Sequence, residues 1–265
     1  AILDAQADVL GPACKLWNTG HGTNMMREAV SLMGGYGVTE DCPGFLFQKW
    51  MDAQLEATYE GPEAVQRRQL SVTMVNELFL AQFGHWTEDL AAFGAAAPRR
   101  GARALAVAME LWLWTLRYLQ RATDVLGQKL YSGNRQGVNF PLADALCWLL
   151  ASRQQILDVR NLAADGPSQP ALADELPGAL AFLTDLSQVQ AARAAAEVAR
   201  ICAELAFGYN APATDPAATA APVEIEFAQL HRRLVDDLKG SRLAKDRAAE
   251  ALAKVRIPEA LDYPV

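Results

Sequence analysis

Tyr59-Glu60-Gly61-Pro62 sets a carboxylate between an aromatic ring and a glycine. A carboxylate shielded from water becomes a stronger base, a general property that gives Glu60 no particular role by itself. Gly61 leaves room for a ligand to approach, since it has no Cβ and accepts dihedrals closed to other residues. Taken alone, the same tetrapeptide also describes an ordinary helix entrance with Glu60 as a solvated or capping carboxylate. A second glycine signal, Gly34-Gly35-Tyr36-Gly37, reads as a helix C-cap whose paired glycines expose backbone amides.

The other reactive side chains lack the spacing that chemistry requires. His21, His85 and His231 are scattered, without HExxH or paired carboxylates, so no metal site is expected and each reads as a surface or capping histidine. Ser31 and Ser71 have no nucleophile-elbow context, and no glycine-rich loop ends in Lys and Ser or Thr. Hydrolase and kinase chemistry are set aside on those grounds. Cys14, Cys42, Cys147 and Cys202 lie far apart with no CxxC pair, which points to reduced thiols and a cytoplasmic location.

The elements that must position Glu60 are helices. Ala, Leu, Glu, Gln and Arg recur at periods of three and four, and alternating β-branched runs are almost absent, so the fold class is all-α. Gly11-Pro12 is expected to break the first segment, and a second helix to run from about Asn24 to Met33. A short helix is expected near Phe45 to Asp52, then a long one from Pro62 to about Phe83 that buries Val65, Val72, Val75, Leu78, Phe79 and Phe83 on one face. A composition change at Gly94-Ala95-Ala96-Ala97-Pro98 divides the chain into 1–94 and 95–265. Beyond it, helices over Ala102 to Leu126, Pro141 to Ala164, Leu176 to Phe207 and Pro222 to Val255 suit a second, four-helix bundle. Trp112, Trp114 and Trp148 read as core or interface packing.

A hydrophobic content of 51% over 265 residues promises a sizeable core, and a net charge of −7 with no Lys or Arg cluster argues against nucleic acid. The most apolar segment, Leu105 to Leu119, is too short to span a bilayer and is interrupted by Glu110 and Arg117, so no transmembrane segment is expected. The start has no basic n-region and no initiator Met, which reads as a cut end and not a signal peptide.

From Arg27 to Arg68 the chain resembles the C-terminal helical domain of the acyl-CoA dehydrogenase family. The anchors are the glycine turn with Thr39-Glu40, and Tyr59-Glu60-Gly61 with Asp52-Ala53 ahead and Gln66-Arg67 behind. The resemblance implies an FAD enzyme of acyl-CoA and fatty acid metabolism, in which a carboxylate takes the α-proton of an acyl-CoA thioester and the β-hydrogen leaves as hydride to flavin N5. It gives the carboxylate role to Glu60, places Tyr59 and Gly61 beside the substrate, and puts Ser31, Leu32, Met33, Gly34 and Gly35 against the FAD of a neighbouring subunit. It also implies an oligomer, homo- or heteromeric, and an electron-transfer flavoprotein as acceptor.

The chain departs from the family pattern at Pro62 and Ala64, where flavin-contacting polar side chains are common, and at Ser31 and Met51. The resemblance covers residues 1 to about 85, so the N-terminal and β-domains of such an enzyme must come from another chain or segment. Residues 98–265 look like a helical extension used for subunit contact. A non-catalytic assembly module that kept the fold is the alternative reading.

Overall fold

Helix-forming residues dominate the chain, and helices are what it builds. The structure, a computed structural model, describes residues 1–96, 101–170, 174–210 and 222–254. Among these are ten α-helices and no strand, only an isolated bridge between Thr123 and Lys129. The protein is all-α. Most of the 210–221 loop, the Ala97-Pro98 end of the composition change and Val255 lie outside the described residues.

Residues 2–32 form one nearly continuous helical stretch: α1 (Ile2–Leu16), a π-turn over Trp17–His21, and α2 (Gly22–Leu32). The break expected at Gly11-Pro12 does not occur. Pro12 forfeits one intrahelical hydrogen bond, a cost of about 3 kcal/mol. Burial of Val9, Ala13 and Leu16 against α4, α5 and α7, at about 1.5–3 kcal/mol for each large side chain, offsets it. A 3-10 turn over Gly34–Val38 ends this stretch, and α3 (Leu46–Glu56) returns antiparallel to α2, with the Thr23 hydroxyl donating to the Ala53 carbonyl at 3.0 Å.

The single helix expected to reach Phe83 is instead two, α4 (Glu63–Thr73) and α5 (Glu77–Ala96). Asn76 is the reason: its Oδ1 accepts the N–H of Leu78 at 2.9 Å, the bond an N-cap makes to the second residue of a new helix. The interruption resets the helical phase. Val65, Val72 and Leu78 are therefore exposed, at 50%, 67% and 45%, while Leu70, Met74, Phe79 and Phe83 are buried.

In the remainder, α6 (Ala102–Arg121), α7 (Gln136–Asp165) and α8 (Leu176–Phe207) pack on one another. Helix α6 stops at Arg121, short of the expected Leu126, because the chain turns back on itself: Leu130 N–H donates to Ala122 O at 3.0 Å, and Asp124 accepts the N–H groups of Leu126 and Gln128. The helix expected over Pro222 to Val255 is also two, α9 (Pro222–Asp237) against α6 and α10 (Ser241–Lys254) against α8. They part at Gly240, whose φ of 84° ends a helix without Cβ strain.

Trp112 is fully buried, donates its indole N–H to Leu142 O at 3.0 Å and lies 5.0 Å from the Phe83 ring. Trp114 and Trp148 sit at helix interfaces, beside Phe227 and Trp17. One hydrophobic cluster runs unbroken from Ala5 of α1 to Leu234 of α9. The division at 94/95 falls in the last turn of α5, a helix that packs against both α1 and α6.

Candidate functional site

Glu60 lies in the loop that joins α3 to α4. The loop leaves α3 through Thr58, whose N–H and hydroxyl both donate to Leu55 O, at 2.9 and 2.8 Å. Tyr59 donates its hydroxyl to Glu56 Oε2 at 2.7 Å, which holds its phenol above the ordinary value, and Lys15 Nζ lies 4.8 Å from its ring centroid. Glu60 is exposed and adopts φ of 49°, the left-handed region that L side chains avoid. Gly61 comes next at φ of 91°.

The first turns of α4 hold the loop in this conformation. Gln66 Nε2 donates to Gly61 O at 2.9 Å, and a Cβ at Gly61 would collide with that amide. Arg67, one helical turn after Glu63, bonds its carboxylate at 2.9 Å and places Nε against both oxygens of Asp144, at 2.8 and 3.1 Å. Burial pulls the Arg67 guanidinium down, but Asp144 and Glu63 more than reverse this and it ends above its ordinary value. Burial outweighs Arg67 at the other end of the pair, leaving the Asp144 carboxyl raised. The two-oxygen contact favours the charged pair. Tyr131 donates to Ser71 O from the far side, so α7 and the turn before it brace α4 along its length.

The glycine turn is a second, separate feature. Leu32 is 87% exposed, Met33 caps α2, Gly34 has φ of 60°, and Ser31, Gly34 and Gly35 are exposed. A Cβ added at Gly34 or Gly35 would meet nothing within 4 Å. Because α2 and α3 are antiparallel, this turn and Glu60 lie at opposite ends of the pair, roughly 15 Å apart by helical rise. The chain does not bring them together in one pocket. Phe45, Met51 and Leu55 add to the exposed apolar surface of this helix pair.

A polar cleft behind α4 was not apparent from the sequence. His21 is half-buried, stacked on Trp17 with centroids 4.2 Å apart and set edge-on to Trp148, so it is not the surface histidine expected. Burial, then Arg193, lowers its pKa. With Glu63, Arg67, Asp144 and Arg200 it lines a cleft of about 450 Å³. The π-turn that presents His21 leaves no mark in hydropathy, whereas the Glu63–Arg67 spacing was a readable signal. None of the four cysteines pairs in a disulfide, and among the described residues no group of three or more His, Cys, Asp or Glu could hold a metal.

Residues 2–74 match the family model described as acyl-CoA dehydrogenase, C-terminal domain. The match spans α1 to α4 and holds both the glycine turn and Tyr59-Glu60-Gly61, so this stretch is similar to the C-terminal domain of acyl-CoA dehydrogenases. Helices α5 to α10 lie beyond it. Among curated proteins and among solved structures, nothing matches the chain.

Proposed function

We propose that this chain carries the base-bearing helical part of an FAD-dependent acyl-CoA dehydrogenase, with Glu60 as the group that takes the α-proton of the thioester. The observation that supports this is the left-handed conformation of Glu60, held by Gly61, Gln66 and the Arg67–Asp144 pair. A strained, exposed carboxylate costs stability and is retained where its direction matters. Its exposure suits a base that a separate segment or chain covers, removing water and strengthening it.

Tyr59 and Gly61 flank the reacting carbon in this reading, with Tyr59 oriented by Glu56. When bound, FAD accepts the β-hydride. The residues here fit its edge: Gly34 and Gly35 leave their backbone open to close approach, and Ser31 offers a hydroxyl. Pro62 and Ala64 can add no side-chain hydrogen bonds, so the remaining wall of the flavin site belongs to other residues. An oligomer belongs to this reading, in which the turn at the end of α2, roughly 15 Å from Glu60 by helical rise, reaches the FAD of a neighbouring subunit. An electron-transfer flavoprotein is the acceptor this reading implies.

The test is flavin content of the purified native assembly, then bleaching on addition of an acyl-CoA. Glu60→Gln is expected to keep the flavin and lose bleaching by about 100-fold or more. A colourless assembly, or a mutant that bleaches at the parent rate, sinks the proposal.

A further inference from the structure

A groove of about 510 Å³ runs between α1, α5 and α7, and none of its lining residues belongs to the Glu60 loop. Its walls are mostly apolar, with Leu10, Ala13, Trp17, Trp86 and Leu150, and one edge carries Gln154, Gln155 and Asp158. That volume lies within the range of small-molecule sites. Of the residues lining it, Arg153 alone is cationic. Its guanidinium lies 4.2 Å from the Trp86 ring centroid, and its Nε is shut off from solvent with no hydrogen-bond acceptor. A buried N–H without an acceptor is costly and calls for an explanation.

Neighbouring carboxylates do not supply the missing acceptor. Asp158 accepts from Gln154 at 2.8 Å, and Asp89 pairs with Arg160 at 3.3 Å. The π-turn widens the helix at this point and delivers Trp17 and Asn18 to the groove. Bulges of this kind recur at functional sites.

We propose that the groove binds an amphiphilic monocarboxylate, with the apolar body between Trp17 and Trp86 and the carboxylate on Arg153. The terminal Nη groups of the guanidinium can donate to a carboxylate, and the positive charge favours that anion over a neutral ligand. A single guanidinium, the one cation among the lining residues and set near Asp158, suits one negative charge and not a polyphosphate.

The proposal stands apart from the dehydrogenase reading and is tested by calorimetric titration with decanoate below its micelle concentration, using 1-decanol as the uncharged control. Wild type is expected to bind one decanoate at least ten-fold more tightly than decanol. Arg153→Met is expected to remove that preference and leave decanol binding unchanged. No saturable decanoate binding, equal affinity for the two probes, or an unaltered preference in Arg153→Met each overturns it. Should Arg153→Met fail to fold, the contrast between decanoate and decanol in wild type decides.

Discussion

Glu60 holds a conformation that its own side chain disfavours by about 1–2 kcal/mol, and the bonds around it absorb the cost. Glu60→Gly should therefore raise the unfolding free energy by about 0.5–1 kcal/mol in urea titration, even though a glycine carries no base. An unchanged or lower stability would mean the loop relaxes freely and stores no strain. His21 makes a second test at this scale. Its folded pKa is depressed, so above the unfolded value near 6.5 neither state binds the proton and the stabilisation is complete. As pH falls below 6.5 the unfolded chain protonates first, and stability is lost until the folded pKa is passed. The urea midpoint should fall as the pH drops below 6.5, and His21→Gln should flatten that fall. Neither residue's setting was legible in the sequence: a motif shows that a glutamate precedes a glycine, whereas its φ and the stacking of His21 on Trp17 depend on contacts between distant elements.

At the scale of elements, α7 and α4 meet through Arg67 and Asp144, 77 positions apart. Asp144→Asn keeps the shape and removes the charge, and is expected to cost about 1–2 kcal/mol by urea unfolding. If the proposed function holds, it should also lower the bleaching rate of the flavin-bearing assembly while leaving flavin content intact, because the first turn of α4 sets the direction of the Glu60 loop. Full bleaching activity alongside the stability loss would confine the pair to a packing role. The period of three to four residues showed that helices form, and the glycine turn showed where α2 stops. Periodicity failed where one polar atom decided the outcome. Asn76 interrupts what hydropathy reads as a continuous helix, and that single cap moves Val65, Val72 and Leu78 from the expected buried face to the surface. Pro12 is the reverse case, a local breaker overruled by burial on three neighbouring helices.

For the whole molecule, the contrast lies between a continuous interior and an uncovered outer pair of helices. The core extends through both the family-matched stretch and the helices after it, while α2 and α3 show Leu32 at 87% and Leu55 at 62% exposure. Apolar patches of this kind mark surfaces that another body covers. Leu32→Asp with Leu55→Asp is expected to leave the stability within about 0.5 kcal/mol of wild type, as exposed positions do, but to shift the native assembly to a smaller mass. An unaltered native mass would show that this surface faces solvent. No helix of the described residues is long and apolar enough to cross a membrane, so the patch is not part of a spanning helix among them.

The π-turn at Trp17–His21 also bears on how this chain can change over evolutionary time. A helix advances about 100° per residue, so the wider turn acts as a one-residue insertion that the fold has absorbed. Deleting a single residue such as Thr19 would restore ordinary helical winding with α1 and α2 still in phase, so Val9, Ala13 and Leu16 would stay on α4, α5 and α7 and only the widened turn would be lost. Point substitutions here can be tolerated one at a time. A loss of one residue can also be absorbed by the core, and what it would remove is the turn that sets His21 on Trp17.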